Sequence, residues 1–272
     1  MTPETIGKLA REALEREVLL TPKPGLVDAH NNGAHKDMDK QTFLRSAAAL
    51  EPWFQGMAER GRVSPSETPA RLLAALRPMG MEAEKEMYAA TNGVNTHKGA
   101  LFSLGLLCAA CGRLQAQNRP LTAETLCDTA AQMTAGITQR EMDGNHTHGL
   151  RVHAAYGAKG VRGEAESGFL SVRELALPYL EQENGPYLAL LSLISRVRDT
   201  NVLHRAGEEG LCWLQSRAGA LLTDFSLSGL EQLDRQCIEK NISPGGCADL
   251  LAIAFFIHSV EKAAPPPSAI HK

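Results

Sequence analysis

The sequence has no strong charge of either sign and no very long hydrophobic run. Its 272 residues include 28 lysines and arginines against 31 aspartates and glutamates, a formal net charge of −3. That balance gives no field to attract nucleic acid or an acidic membrane surface. The longest apolar stretches, around 99–111 and 248–257, are shorter than the roughly 20 residues of a membrane-spanning helix, and no signal peptide opens the chain. We therefore expect a cytoplasmic protein with neither nucleic acid nor a membrane as its partner.

Cysteine is scarce and lacks the spacing of a disulfide or metal framework. Six cysteines are scattered along the chain. Cys108 and Cys111 have the spacing of a redox or zinc motif, but they lie in an apolar helical run with no second pair nearby. Buried free thiols are the expected state, because cysteine is among the residues most often buried. Such thiols fit a reducing cytoplasm.

Alternating, strand-like patterns are nearly absent, and helical periodicity dominates. In residues 3–20 the apolar positions recur every three or four residues, as on one face of a helix. Similar patterns cover 42–60, 66–77, 79–91, 99–115, 122–140, 165–182, 187–198, 205–222, 228–240 and 246–262. The sequence predicts a single all-α catalytic domain of about ten helices over 1–262, followed by a flexible C-terminal tail over 263–272.

Polar segments that contain glycine interrupt these helices at five places. They lie at 21–39, 92–99, 143–164, 199–207 and 241–249, and they carry lysine, arginine, histidine, aspartate and asparagine in an otherwise alanine- and leucine-rich chain. Functional residues concentrate in loops that a rigid scaffold positions. We expect these junction loops to meet in one site.

The first segment, "TPKPGLVDAHNNGAHKDMD", places Lys23 between two prolines that fix the backbone around it. Asp28 and Asp37 follow, and Mg²⁺ favours one or two carboxylates together with substrate phosphate oxygens. A solvated loop in which Asp37 or Asp39 caps the next helix explains the same letters. The segment alone does not separate the two interpretations.

The second segment, "GMEAEKEMYAATNGVNTHKGALF", ends one helix and starts another. Asn95 or Thr96 is placed to cap the new helix, and Lys98 adds a charge at its positive end, which together could form an anion site. Glu84 points away from the face that Glu82 and Glu86 share. In isolation, a plain helix cap with a solvated lysine is the favoured interpretation.

The third segment contains "YGAKGVRGEA", in which glycines flank two cations and Glu164 follows. Arg162 suits bidentate contact with phosphate, although a glycine-rich surface turn would look the same. The nearby histidines, including His153, lack the surrounding ligands of a zinc site.

The fourth and fifth segments each offer a carboxylate at a helix start. Asp199 precedes a helix and Asp249 lies in the first turn of an apolar one. Each is either a helix-stabilising group or an oxygen ligand.

Together these segments resemble the triphosphoribosyl-dephospho-CoA synthase family, in order, from "TPKPGLVD" to "SPGGCADLL". The blocks "GAHKDMD", "MGMEAEKEMYAATNGVNTHKGALFSLGLL", "YGAKGVRGEAESGF" and "DTNVLHRAG" lie between. The resemblance implies an all-α enzyme that joins ATP to 3'-dephospho-CoA with release of adenine. The product is the prosthetic-group precursor for the acyl carrier subunit of citrate lyase, or of malonate decarboxylase in a sister branch.

The resemblance also implies roles for individual residues, with Mg²⁺ as cofactor. Contact with ATP and its triphosphate is expected from Lys23, Asn95, Thr96, Lys98 and Arg162. Catalytic roles are expected for Glu84, Glu164 and Asp28, with Glu84 or Glu164 as the base, and metal binding for Asp199, Asp249 and Asp37. A Mg-dependent nucleotide hydrolase or pyrophosphatase and a non-catalytic helical module that recognises the carrier subunit are the alternatives. The oligomeric state stays open, with a homodimer as one candidate.

Overall fold

The computed structural model describes residues 1–141 and 148–264, which fold into helices and connecting loops without a strand among them. The all-α prediction is thus confirmed. Most of the predicted tail, 265–272, lies outside the described residues. The α-helices in chain order are α1 (Pro3–Leu19), α2 (Lys40–Arg62), α3 (Pro69–Ala90), α4 (Lys98–Ala116), α5 (Ala123–Thr134), α6 (Ile137–Glu141), α7 (His148–Tyr156), α8 (Gly160–Glu166), α9 (Gly185–Arg196), α10 (Thr200–Thr223), α11 (Leu227–Glu239) and α12 (Gly245–Ala263).

Two helix predictions needed correction at proline and glycine. The sequence predicts separate helices before and after Pro78, whereas α3 continues through this residue. Pro78 is exposed, so water can satisfy the carbonyl whose hydrogen bond the proline removes. The stretch 122–140 is divided between α5 and α6, because Gly136 has a φ of 72°.

The predicted helix over 165–182 is also interrupted. Gly168 and Phe169 both have positive φ, 69° and 53°, and this backbone cannot continue a right-handed helix. A π-helical turn at Val172–Ala176 and a 3₁₀ turn at Leu177–Tyr179 follow instead.

The buried centre of the fold is α4, which packs against α2, α3, α5 and α12. Among the described helices, α4 alone has the length and hydropathy of a membrane span, but 72% of that window is buried inside the protein. A central helix of a globular domain requires the same apolar composition. Cys108 and Cys111 lie within α4 as buried free thiols, as the sequence predicts, and burial raises the pKa of both.

Candidate functional site

A cavity of about 1180 Å³ lies where the polar junctions meet. Its walls come mainly from α1, α3, α4, α8, α10, α12 and the loop that follows α1, with further residues from α2, α6, α7 and α9. It is larger than the ~300–1,000 Å³ of a usual small-ligand pocket. The residues that line it include nine of the eleven predicted from the sequence: Lys23, Glu84, Asn95, Thr96, Lys98, Arg162, Glu164, Asp199 and Asp249.

Cations outnumber carboxylates in the cavity wall, although the whole chain is slightly acidic. Nine cationic residues line it: Lys23, Arg77, Lys98, Arg151, Lys159, Arg162, Arg196, Arg198 and Arg205. Six carboxylates accompany them: Glu17, Glu84, Glu141, Glu164, Asp199 and Asp249. Local charge of this kind attracts a polyanion where the net charge of −3 would not.

Lys23 is buried and forms an ion pair that the sequence did not predict. Its Nζ donates to Glu17 Oε1 at 2.5 Å and to the Glu17 carbonyl oxygen at 2.8 Å. Both side chains are almost inaccessible, at 1% and 6%. An ammonium group has three donors, so one remains for a ligand in the cavity.

Asp28 lies outside the residues that line the cavity, and its predicted catalytic role has no support in its position. Its Oδ2 accepts the amide of Lys23 at 2.9 Å, and its Oδ1 accepts those of His30 and Asn31 at 2.7 and 3.0 Å. Because these three bonds engage both oxygens, Asp28 fixes the loop that presents Lys23.

Asp37 is also outside the cavity wall, so its position does not support the predicted metal-binding role either. Its side chain is 66% exposed, and the partner described for it is the His35 ring at 4.0 Å. The cap of α2 is Asp39, which accepts the Thr42 amide at 2.8 Å. A solvated loop, the alternative considered for this segment, describes Asp37 better.

Glu84 and Lys98 pair across the cavity, from α3 to the start of α4. Lys98 Nζ lies 2.5 Å from Glu84 Oε1, and both side chains are partly exposed. Glu82 bonds to Lys85 on another face of α3, in agreement with the predicted direction of Glu84. The predicted base and one predicted phosphate-binding cation thus contact each other.

The N-terminus of α4 is only weakly capped. Asn95 Oδ1 accepts the Lys98 amide at a long 3.4 Å, whereas the Thr96 hydroxyl donates to Ser46 on α2. The amides of Gly99 and Ala100 have no acceptor within the described part of the chain. Free N–H groups at a helix start favour an anion. The same helix start therefore has both a weak cap and free amides that can bind an anion.

Arg162 belongs to a charged cluster on the rim. Glu141 accepts a hydrogen bond from Arg162 Nε at 3.3 Å and also forms an ion pair with Arg77 on α3. Burial lowers the pKa of Arg162. The two arginines share a single carboxylate, which leaves donors of both guanidinium groups for another anion.

Glu164 is held by Ser171 and is largely removed from water. The Ser171 hydroxyl donates to Glu164 Oε1 at 2.6 Å, and its amide lies 3.4 Å from Oε2. Burial raises the pKa of Glu164, although both bonds from Ser171 oppose the shift. A carboxylate with a raised pKa is a stronger base.

Asp199 joins two helix starts. Its Oδ1 accepts the amides of Asn201 and Val202, and its Oδ2 accepts the Cys247 amide of α12 at 2.8 Å. A Cβ on Gly246 would lie only 3.0 Å from Oδ2, so this glycine permits the close approach. Asp199 is therefore a cap for α10 and α12, while its metal-binding role stays a prediction.

Asp249 is the cavity carboxylate without a hydrogen bond or ion pair among the described residues. Its Oδ2 lies against Gly99, where an added Cβ would be 2.2 Å away. Burial and then the negative charges of Glu17 and Asp199 raise its pKa well above the ordinary value. This surplus of negative charge could be relieved by a cation.

These carboxylates fit Mg²⁺ in the form in which nucleotides carry it. The described residues hold no group of three or more histidine, cysteine or acidic side chains arranged as a protein metal site. Mg²⁺ on a nucleotide needs only one or two carboxylates, because phosphate and water supply the other oxygens. Asp249 meets this requirement, and Asp199 lies beside it.

Sequence reasoning missed two buried side chains of the cavity wall. Glu17 is on α1, where its spacing looks like one more position of an amphipathic helix. His97 lies in sequence between two expected ligands, Thr96 and Lys98. Its Nδ1 lies 2.8 Å from the Ser46 hydroxyl, and its Nε2 has no partner in the part of the chain that the structure describes. Burial and nearby Lys23 lower the pKa of His97 to about 3.

Two comparisons with known proteins bear on the family and the fold of this chain. The family model described as ATP:dephospho-CoA triphosphoribosyl transferase matches residues 3–267. A crystal structure from Archaeoglobus fulgidus, of a protein provisionally named triphosphoribosyl-dephospho-CoA synthase, is 18% identical with a TM-score of 0.52. The match covers 80% of this chain and 98% of that one, and at this identity it shows a shared fold. Because the family model spans nearly the whole chain, the protein belongs to the ATP:dephospho-CoA triphosphoribosyl transferase family and is an enzyme of the triphosphoribosyl-dephospho-CoA synthase type.

Proposed function

We propose that the enzyme transfers the 5-triphosphoribosyl group of ATP to the ribose 2'-hydroxyl of 3'-dephospho-CoA and releases adenine. The bond from the acceptor oxygen to C1 of the ATP ribose forms while the bond from C1 to adenine breaks. A base takes the hydroxyl proton, and adenine leaves with the bonding electron pair and acquires a proton. The single observation that carries this proposal is the cation-rich cavity in which five polar junctions meet around unpaired Asp249.

The triphosphate must be held without being cleaved, and the cavity supports this. The proposed contacts are the free amides at the start of α4, Lys98 beside them, the remaining donor of Lys23, and Arg162. Fixed donors in a partly buried site stabilise negative charge without reorganising. Asn95 and Thr96 contribute by shaping the loop, since Asn95 approaches the Lys98 amide and Thr96 is tied to α2.

We assign the base to Glu164 in preference to Glu84. Glu84 is neutralised by Lys98, whereas Glu164 has no cationic partner among the described residues and its burial raises the pKa of the carboxyl. Ser171 orients it. Asp249, with Asp199 beside it, would hold Mg²⁺ of the nucleotide, which would supply charge neutralisation to the triphosphate. One displacement at C1 predicts inversion of the anomeric centre.

The product context follows from the resemblance. We propose that the product serves the acyl carrier subunit of citrate lyase in the cytoplasm, with the carrier of malonate decarboxylase as the alternative. Incubating the product with each apo-carrier and its own transfer enzyme, followed by intact-mass measurement, separates the two.

An adenine-release assay tests the reaction. Protein, ATP, Mg²⁺ and 3'-dephospho-CoA should yield one free adenine per product, with no ADP, AMP or phosphate. Release of phosphate or pyrophosphate in place of adenine would show a nucleotide hydrolase, and no chemistry from any substrate would favour a carrier-binding module.

The triphosphate contact has its own matched pair of variants. Lys98→Met should raise the KM for ATP while the fold is retained, because a partly exposed ion pair contributes no more than about 1 kcal/mol to stability. Lys85→Met breaks a comparable exposed pair with Glu82 on α3, outside the cavity, and should leave the KM unchanged.

A further inference from the structure

The cavity extends along α3 well beyond its charged part. Leu73, Leu76, Gly80, Glu84 and Tyr88 all line it. At 1.5 Å per residue, the first and last of these are about 22 Å apart along the helix. A site of this length accommodates an elongated substrate as well as a compact nucleotide.

The two ends of this cavity differ in chemistry. Near the C-terminal end of α3, Glu84 meets Lys98 and the open start of α4. Toward the N-terminal end, Leu73 and Leu76 of α3 face the cavity together with Met57 of α2 and Leu106 of α4. All four are buried. We call this group of four residues the aliphatic arm.

The aliphatic arm is narrow and almost without polar groups. A Cβ on Gly105 would lie 2.6 Å from the sulfur of Met57, so α2 and α4 approach closely there. The one polar side chain of α4 that lines this part is Ser103, whose buried hydroxyl has no hydrogen-bond partner within the described chain. A buried hydroxyl without a protein partner is uncommon, and its hydrogen-bonding capacity is open to an ordered water or a ligand group.

We propose that the aliphatic arm binds the thiol end of the pantetheine chain of 3'-dephospho-CoA, with Ser103 bonding to its last amide. This inference rests on the proposed function, which makes dephospho-CoA the acceptor. An adenine ring fits the arm poorly, because its several ring-edge donors and acceptors would lose water and find only one hydroxyl. Each unsatisfied group would cost about 1–3 kcal/mol. Two methylenes and a sulfur beyond an amide meet the aliphatic lining without that loss.

Filling the arm with a larger side chain tests the proposal, because it should change the KM for dephospho-CoA and not the KM for ATP. Leu106→Trp should raise the KM for dephospho-CoA about tenfold or more, a factor of the size expected when two methylenes lose their burial. The KM for ATP should stay within a factor of about two of the wild type. Leu73→Phe, on the opposite wall, is the second variant should the first not fold. Leu114→Phe changes a buried α4 leucine outside the cavity and controls for overpacking.

Calorimetry gives a readout that is independent of turnover. ADP is dephospho-CoA without its pantetheine chain. The arm variants should weaken the binding of dephospho-CoA and leave that of ADP unchanged, and Ser103→Ala should act in the same direction to a smaller extent. A rise in the KM for ATP, or equal weakening of ADP and dephospho-CoA, would overturn the assignment and place a nucleotide in the arm. A wild type that releases no adenine but binds dephospho-CoA more tightly than ADP would reject the reaction and retain the arm.

Discussion

Variants of the buried ion pair between Lys23 and Glu17 should separate an effect on the free energy of unfolding from an effect on catalysis. Lys23→Met leaves the Glu17 carboxylate buried, without its ammonium partner and near Asp249, whose pKa Glu17 already raises. Removing one member of a buried ion pair costs about 3–5 kcal/mol. We expect a loss of that size in the free energy of unfolding, and a similar one for Glu17→Leu, which strands the ammonium.

The double variant Glu17→Leu with Lys23→Met should recover much of this loss. Both charges are then absent, and hydrophobic replacements of a buried pair are often neutral or stabilising. A double variant that is less destabilised than either single variant implies a coupling larger than one single loss, that is, more than about 3–5 kcal/mol, which exceeds the roughly 0.5–3 kcal/mol usual for residues in contact. Adenine release should remain defective in the double variant, because Lys23 still cannot offer its third donor to the triphosphate.

Urea unfolding followed by circular dichroism and tryptophan fluorescence measures these free energies, and coincident transitions establish two-state behaviour. Lys262→Met, which removes an exposed pair with Glu181, is the surface control and should cost less than about 1 kcal/mol. Single variants within that same limit, or a double variant that loses the full sum of both, would refute the reasoning. A double variant with normal activity would refute the role of Lys23 in binding.

Three further results are expected. Gly99→Ala should reduce adenine release strongly, because the new Cβ would lie 2.2 Å from Asp249 Oδ2, whereas Gly219→Ala in α10 has room and should stabilise by roughly 0.5–1 kcal/mol in urea unfolding. Asp199→Asn should cost about 1–2 kcal/mol in the same assay, since the amide that replaces one carboxylate oxygen can no longer accept a backbone N–H and one of the two helix caps is lost. If Glu164 is the base, activity should rise with pH through its raised pKa. Ser171→Ala removes the hydroxyl bond, which is the larger of the two Ser171 bonds that lower this pKa, and keeps the amide bond, so the acidic limb of the profile should move to higher pH. An unmoved limb would reject Glu164 as base.

The sequence predicted the assembly of the site better than the role of each acid. Glycine-bearing junctions between apolar helices converge because the helices pack through their apolar faces and leave their ends at a common surface. Asp28 and Asp37 come from one of these junctions, yet neither lines the cavity. Spacing along an irregular loop does not fix the direction of a side chain. The sequence therefore did not predict that local backbone amides would bind the Asp28 carboxylate.

Some helix boundaries were predicted wrongly for a related reason. The sequence pattern predicted a break at Pro78 and none at Gly136, whereas the structure breaks at the glycine and continues through the proline. An exposed proline inside a helix loses a hydrogen bond that water replaces, so tertiary packing of α3 decides the outcome. Glu17 escaped detection because a single acid on an amphipathic helix gives no signal until its partner, six residues away in another element, is placed beside it.

The chemistry of the site follows from how two of its apolar helices, α4 and α12, begin. α4 and α12 must be buried along their length, so their first amides end up inside the protein and need partners. Asp199 supplies one partner, at Cys247, while the amides of Gly99 and Ala100, and those of Gly245 and Gly246, have none within the described chain. Asp249 contributes a carboxylate without a bond of its own beside them. Under the proposed function, these free amide donors would bind the triphosphate and the Asp249 carboxylate would bind the metal ion that the triphosphate carries.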